Sequence, residues 1–173
     1  MEPIYDLLKT IIPAAIVLYA MFLVIKIFLQ KQNEEKLILL KTKNKEITLP
    51  LRLQAYERMC LFLERISPDQ LISRVQQPDQ NVAELQLLLL REIREEFNHN
   101  LSQQVYMSIE AWNTIKSAKE ETTMLINQAA NPLDNEERGL VLAKSIYEIY
   151  ANKNADSIRY SLEFLKTEIQ NEF

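Results

Sequence analysis

Glycine is the residue this sequence has least of: only Gly139 in a chain of 173, where average usage would give about a dozen. Turns that need positive φ are almost unavailable, which disfavours hairpin-rich β architecture and glycine loops that cradle phosphates. Cysteine is equally scarce. Cys60 stands alone, so no intramolecular disulfide and no cysteine-based zinc cluster can be assembled, as expected of a domain in a reducing compartment. Histidine occurs once, at His99. The six prolines, Pro3, Pro13, Pro50, Pro68, Pro78 and Pro132, fall mostly where helices would begin, where a fixed φ and a missing donor do no harm. Together these shortages favour an all-α chain, and the length suits one domain with appendages.

What is present begins with a greasy segment. Thr10 to Leu29, TIIPAAIVLYAMFLVIKIFL, contains fifteen consecutive apolar or proline positions and one charge, Lys26. As a helix it reaches about 30 Å, the thickness of a bilayer's hydrocarbon core. A cleaved signal peptide fits less well, because Glu2 and Asp6 oppose Lys9 ahead of the apolar run and no small-x-small site follows it. The expectation is therefore a transmembrane helix over 10–29 embedded in a lipid bilayer. Lys9 alone precedes it, whereas Lys26, Lys31, Lys36, Lys41, Lys43 and Lys45 lie in and after it. By the positive-inside rule the short tail 1–9 is extracytoplasmic and the rest cytoplasmic. Residues 30–46 form a basic juxtamembrane connector, for which a continued helix, an interfacial segment and an extended piece all remain open. Its lysines would each add about 1 kcal/mol of attraction to an anionic leaflet, screened by salt.

Residues 47–173 read as a cytoplasmic helical domain. From Pro50, helical spacing collects Leu53, Ala55, Tyr56, Met59, Cys60, Phe62, Leu63 and Ile66 on one face, with Gln54, Glu57, Arg58, Glu64 and Arg65 opposite. Leu61 alone projects from the polar side, which makes it a candidate partner contact. Ser67-Pro68 then stops one helix and starts a short one carrying Leu71, Ile72 and Val75. A longer helix from about Asn81 to Phe97 would bury Val82, Leu85, Leu89, Leu90, Ile93 and Phe97. The next is expected to run from Leu101 to about Ala130, with Leu101, Val105, Tyr106, Ile109, Trp112, Ile115, Ile126 and Ala129 at helical spacing. Asp134 and Glu137 have capping-box spacing ahead of a helix with Leu142, Ala143, Ile146, Ile149 and Tyr150. In that helix Gly139 and Ala143 either admit a close neighbour or leave Gly139 a tolerated fault. A last helix, about Ala155 to Glu172, carries Ile158, Leu162, Leu165 and Ile169. No repeat of fixed period is present. The expected architecture is an N-terminal transmembrane helix followed by a cytoplasmic antiparallel bundle of about five or six helices.

Charge divides along the chain. Residues 30–65 hold eight basic against five acidic side chains, net +3, and residues 66–173 hold ten against seventeen, net −7. A basic end near anionic lipid and an acidic bulk domain suit a membrane-attached protein and disfavour nucleic acid as partner.

Chemistry is sparse. Glu92, Glu96 and His99, spaced by four and three, share a helix edge and form the half-motif used in di-iron bundles. With one histidine a single chain cannot complete that set, so these are weak metal candidates that would need a dimer. Cys60, on the apolar face, reads as a small buried group with a raised pKa rather than a nucleophile. No catalytic residue and no cofactor is expected. LPLRLQAYERMCLFLERISP and REIREEFNHNLSQQVYMSIEAWNTIKSAKEE resemble a bacterial family of small single-span membrane proteins of unknown function. That resemblance implies a bacterial inner-membrane setting and no activity. The expectation for function is a non-enzymatic, membrane-anchored scaffold or accessory subunit that binds another protein. Two alternatives accompany it: a metal-dependent enzyme or sensor across a dimer, and a homo-oligomeric structural membrane protein.

Overall fold

The structure, a computed structural model, describes residues 2–152 and 156–171, with side chains from Ile16 onward except at 41 and 44. It is all-α: the described residues form six helices and no strand. Helix α1 spans Glu2–Ile66, α2 Pro68–Val75, α3 Val82–Asn100, α4 Ile109–Ala130, α5 Gly139–Ala151 and α6 Ser157–Gln170, with a 3-10 turn, η1, over Leu101–Tyr106. The start at Ala155 and end at Glu172 expected for the last helix lie outside the described residues.

The chain divides into two units, Met1–Leu49 and Pro50–Phe173. In the first, α1 is helical through the connector 30–46, so of the three readings left open the continued helix is the one adopted. Pro13 and Pro50 lie inside α1 rather than at helix starts, which corrects the expectation for both. A proline there removes one main-chain hydrogen bond; no non-glycine residue has positive φ and no peptide is cis among the described residues. Every described side chain from Ile16 to Leu40 is exposed. Among the described residues α1 is the one helix long and apolar enough to cross a membrane, judged by length and composition.

The second unit is built on a shared core. Tyr56, Met59, Phe62, Leu63 and Ile66 of α1 are buried with Leu71 and Ile72 of α2, Leu85 and Leu89 of α3, Ile115 and Ile126 of α4, Leu142 and Ile146 of α5, and Leu165 of α6. Helix α4 packs against α3, α5 and α6, and α2 bridges α3 and α5. Phe97 joins the α1 and α4 faces: its ring lies 5.7 Å from Phe62 and 5.4 Å from Trp112, with the Lys119 ammonium 4.5 Å from its centre.

The start of α3 shows how a glycine-poor chain closes a junction. Asn81 accepts from Glu84 N at 2.9 Å and Glu84 Oε2 accepts from Asn81 N at 3.1 Å, a reciprocal cap. Val82 N and Ala83 N donate to the carbonyls of Glu137 and Asn135 in the α4–α5 loop, so donors that a helix start leaves orphaned find partners. Gly139 N donates to Gln80 O at 2.8 Å, and a Cβ on Gly139 would stand 3.1 Å from that same oxygen. Close approach is thus what Gly139 provides, of its two readings. Asp134 and Glu137 make no capping box: Asp134 Oδ1 accepts from Glu136 N in a turn, and α5 starts later, after Arg138.

Three further expectations are corrected. Leu53 is exposed, because the buried stripe of α1 follows Tyr56, Met59, Phe62, Leu63 and Ile66 and leaves it at the edge. Cys60 is half-buried at the rim of the core. The helix expected over Leu101–Ala130 is broken after Asn100, where η1 intervenes. Asn100 is buried and turns its Nδ2 back onto Glu96 O at 2.9 Å. Met107 is extended (φ −115°, ψ 160°) and packs on the core, and Ser108 caps α4 by accepting from Ala111 N. The break leaves Leu101, Val105, Tyr106 and Ile109, apolar residues at helical spacing in the sequence, exposed; Val105 is 77% and Ile109 81% exposed.

Candidate interaction surface

A polar cluster of the second unit surrounds Glu168, on α6. Tyr56 Oη donates to Glu168 Oε1 at 2.8 Å and Ser108 Oγ donates to Oε2 at 2.9 Å. One carboxylate thereby ties α1, the N-terminus of α4 and α6 together, and sequence separations of 112 and 60 residues kept it invisible to pattern reading. Arg52 completes the corner by donating from Nε to Tyr106 O at 3.2 Å, its guanidinium 5.9 Å from the Tyr56 ring centre. Burial pushes the Tyr56 phenol above its ordinary pKa, and the Glu168 hydrogen bond and charge add to the shift against the lowering effect of Arg52.

This corner holds η1 in place with its apolar side turned out. Leu51, Leu101, Val105, Tyr106 and Ile109 are exposed together with Arg58, and Leu51, Gln54, Arg58, Val105 and Tyr106 line an open groove of about 440 Å³. Exposed apolar residues grouped in this way are the kind of surface feature that in general marks interaction sites. Leu61, 54% exposed among Glu57, Arg58, Glu64 and Arg65, lies on the same helix.

The remaining candidates are placed as follows. Glu96 Oε2 accepts from Arg65 Nε at 3.0 Å, Glu92 pairs with Arg74 at 3.6 Å, and His99 is exposed. Among the described residues no group of three or more His, Cys, Asp and Glu is placed to hold a metal ion. The Cys60 thiol is raised above its ordinary pKa by burial, with Lys166 partly offsetting the shift. A second groove, about 770 Å³ and open, runs between α4 and α6 past Asn113, Ser117, Asp156 and Tyr160. Two of its polar groups are engaged within the fold: Asp156 accepts from Ile158 N, Arg159 N and Tyr150 Oη, and Ser161 Oγ donates to Thr114 O. Among the described residues no buried side-chain nitrogen or oxygen lacks a hydrogen-bond partner.

No curated protein and no solved structure matches this chain. A family does match, over residues 2–172, and its description is "Family of unknown function (DUF7935)". Coverage of nearly the whole sequence, helical stalk and compact unit together, makes the assignment plain: the chain belongs to the DUF7935 family.

Proposed function

We propose that this protein is a non-enzymatic, single-pass membrane scaffold or accessory subunit, whose helical domain docks onto another protein at the membrane. The observation that carries this reading is the stretch of α1 over residues 10–29, twenty positions long and about 30 Å as a helix, with Lys26 its one charge and every side chain described in it, from Ile16 to Leu29, exposed. Water does not leave so long an apolar cylinder uncovered, and a bilayer is the solvent that matches its length. The lysines after it favour an N-terminus outside and a cytoplasmic C-terminal domain, and the resemblance noted above favours a bacterial inner membrane. The compact unit is best read as an antiparallel bundle, with α4 central among α3, α5 and α6. Its exposed apolar corner at η1 is the surface we assign to the partner, with Leu61 as a second contact.

Crosslinking in intact membranes, followed by mass spectrometry, tests the scaffold reading. A specific heterologous partner is expected, lost in Val105→Asp/Ile109→Asp. Recovery of no heterologous species from wild type and variant alike would sink it.

A further inference from the structure

We propose that the groove between α3 and α4 docks an acidic amphipathic helix of a partner protein, its apolar stripe on Leu90, Phe97 and Met124 and its carboxylates on Arg94 and Lys119. The groove is open, holds about 510 Å³ and lies wholly within the second unit. Its apolar lining is Leu90, Ile93 and Phe97 from α3 and Met124 from α4. Met124 is exposed, as is Leu87, one turn before Leu90 on α3.

Charge selects the occupant. Residues 66–173 carry ten basic against seventeen acidic side chains, and Arg65, Arg74, Arg91 and Arg159 pair with glutamates. Among the described residues Arg94 and Lys119 form no ion pair with a carboxylate. At three and four residues' distance Arg94 has Leu90, Arg91, Phe97 and Asn98, and Lys119 has Ile115, Lys116, Thr122 and Thr123. Neither helix therefore offers its cation an acid at the spacing where side chains meet. Glu95 and Glu96, next to Arg94 in the chain, are taken by Arg91 and Arg65. Lys119 instead holds its ammonium 4.5 Å from the centre of the Phe97 ring, a contact that positions the charge without neutralising it. Glu120 is the one acid in the lining, and the two cations outnumber it.

A helix matches this groove in length and in charge. Residues 90–98 and 119–127 each span about 12 Å, and an i, i+3, i+4, i+7 stripe of anchors spans about 10.5 Å. Arg94 and Lys119 stand on opposite walls, so carboxylates on both sides of the stripe find a partner. A small apolar acid brings one carboxylate for two walls. The groove shares no lining residue with the one at η1, so either surface can fail without the other.

The test uses the full chain in phosphatidylcholine nanodiscs and two labelled helical peptides with the same leucine stripe, flanked by glutamates in one and by lysines in the other. Binding is read by fluorescence anisotropy against empty discs. The glutamate peptide is expected to bind about tenfold or more tightly than the lysine peptide, against the net charge of the unit, and to weaken as salt rises to about 0.5 M. In Arg94→Glu/Lys119→Glu the preference is expected to invert, and a gain for the lysine peptide is something an unfolded variant cannot give. Lys144→Glu/Lys166→Glu makes the same change in net charge outside the groove and is expected to leave the preference in place. Equal binding of the two peptides, binding of neither, or an unchanged preference in the groove variant would overturn the proposal. So would inversion by both double variants, which assigns the effect to net charge, or displacement of the glutamate peptide by decanoate at comparable concentration, which assigns the groove to a small anion.

Discussion

At Glu168 one carboxylate accepts from two hydroxyls on two other elements, and removing it leaves both donors without the partner they fold against. Glu168→Ala is therefore expected to lower stability by about 1–3 kcal/mol, the usual cost of orphaning a buried polar group. Tyr56→Phe removes one bond of the pair and should cost about 1 kcal/mol. Urea unfolding in detergent checks both values. Tyr56 and Tyr150 each have a phenol raised by burial, reinforced by a hydrogen bond to Glu168 or Asp156. The sign follows by linkage. A folded-state pKa above the unfolded one gives stability that is complete below the ordinary phenol value of about 10 and is lost as pH rises through the folded pKa. Thermal midpoints should therefore fall on the alkaline side, and the fall should be shallower in Tyr56→Phe; an identical slope would separate the phenol from alkaline unfolding. Among candidate residues, Leu61 was legible as exposed from the helical wheel alone, because its neighbours at helical spacing are charged. Glu168 was not legible: its partners are distant in sequence, and nothing in LKTEIQ marks one glutamate among several.

The helices themselves were largely written in the periodicity. α2 was legible at Ser67-Pro68, α3 at Asn81, and α6 in the spacing of Ile158, Leu162, Leu165 and Ile169, because capping residues and apolar stripes act within a turn or two. The failure at Leu101–Tyr106 has an equally local cause with a nonlocal trigger. Apolar residues there continue a helical rhythm, yet Met107 is drawn to the core and Ser108 caps afresh, so the rhythm is carried outward into water. Ser108 followed by Ile109-Glu110 was the available signal for a new helix start. Removing the reciprocal cap of α3 by Asn81→Ala should cost about 1 kcal/mol, measured by the same unfolding. Gly139→Ala places a Cβ 3.1 Å from Gln80 O and 3.3 Å from Asn81 O, both main-chain atoms that are themselves bonded or held in the cap. The junction of α3 and α5 must then open slightly, and a loss of about 1 kcal/mol or more is expected despite the better helix propensity of alanine.

Across the whole chain, composition changes in steps. An apolar stretch over 16–29, a basic connector and an acidic compact unit form a graded sequence, and each grade follows from composition. A reporter fused after Phe173 should be active only in the cytoplasm; activity outside would reverse the orientation drawn from the lysines. Sequence alone determined the helical character of the chain, since a single glycine and long helical periodicities leave little else for the backbone to do. It also determined the candidate span and the division of charge, because these are sums over neighbouring residues. Tertiary structure decided which apolar residues are covered: it buried Tyr56 and Met59, turned Leu53, Val105 and Ile109 to water, and tied Tyr56 and Ser108 to Glu168. Those outcomes depend on packing and hydrogen bonding between residues far apart in sequence, where one helix's stripe is satisfied only by what another presents to it.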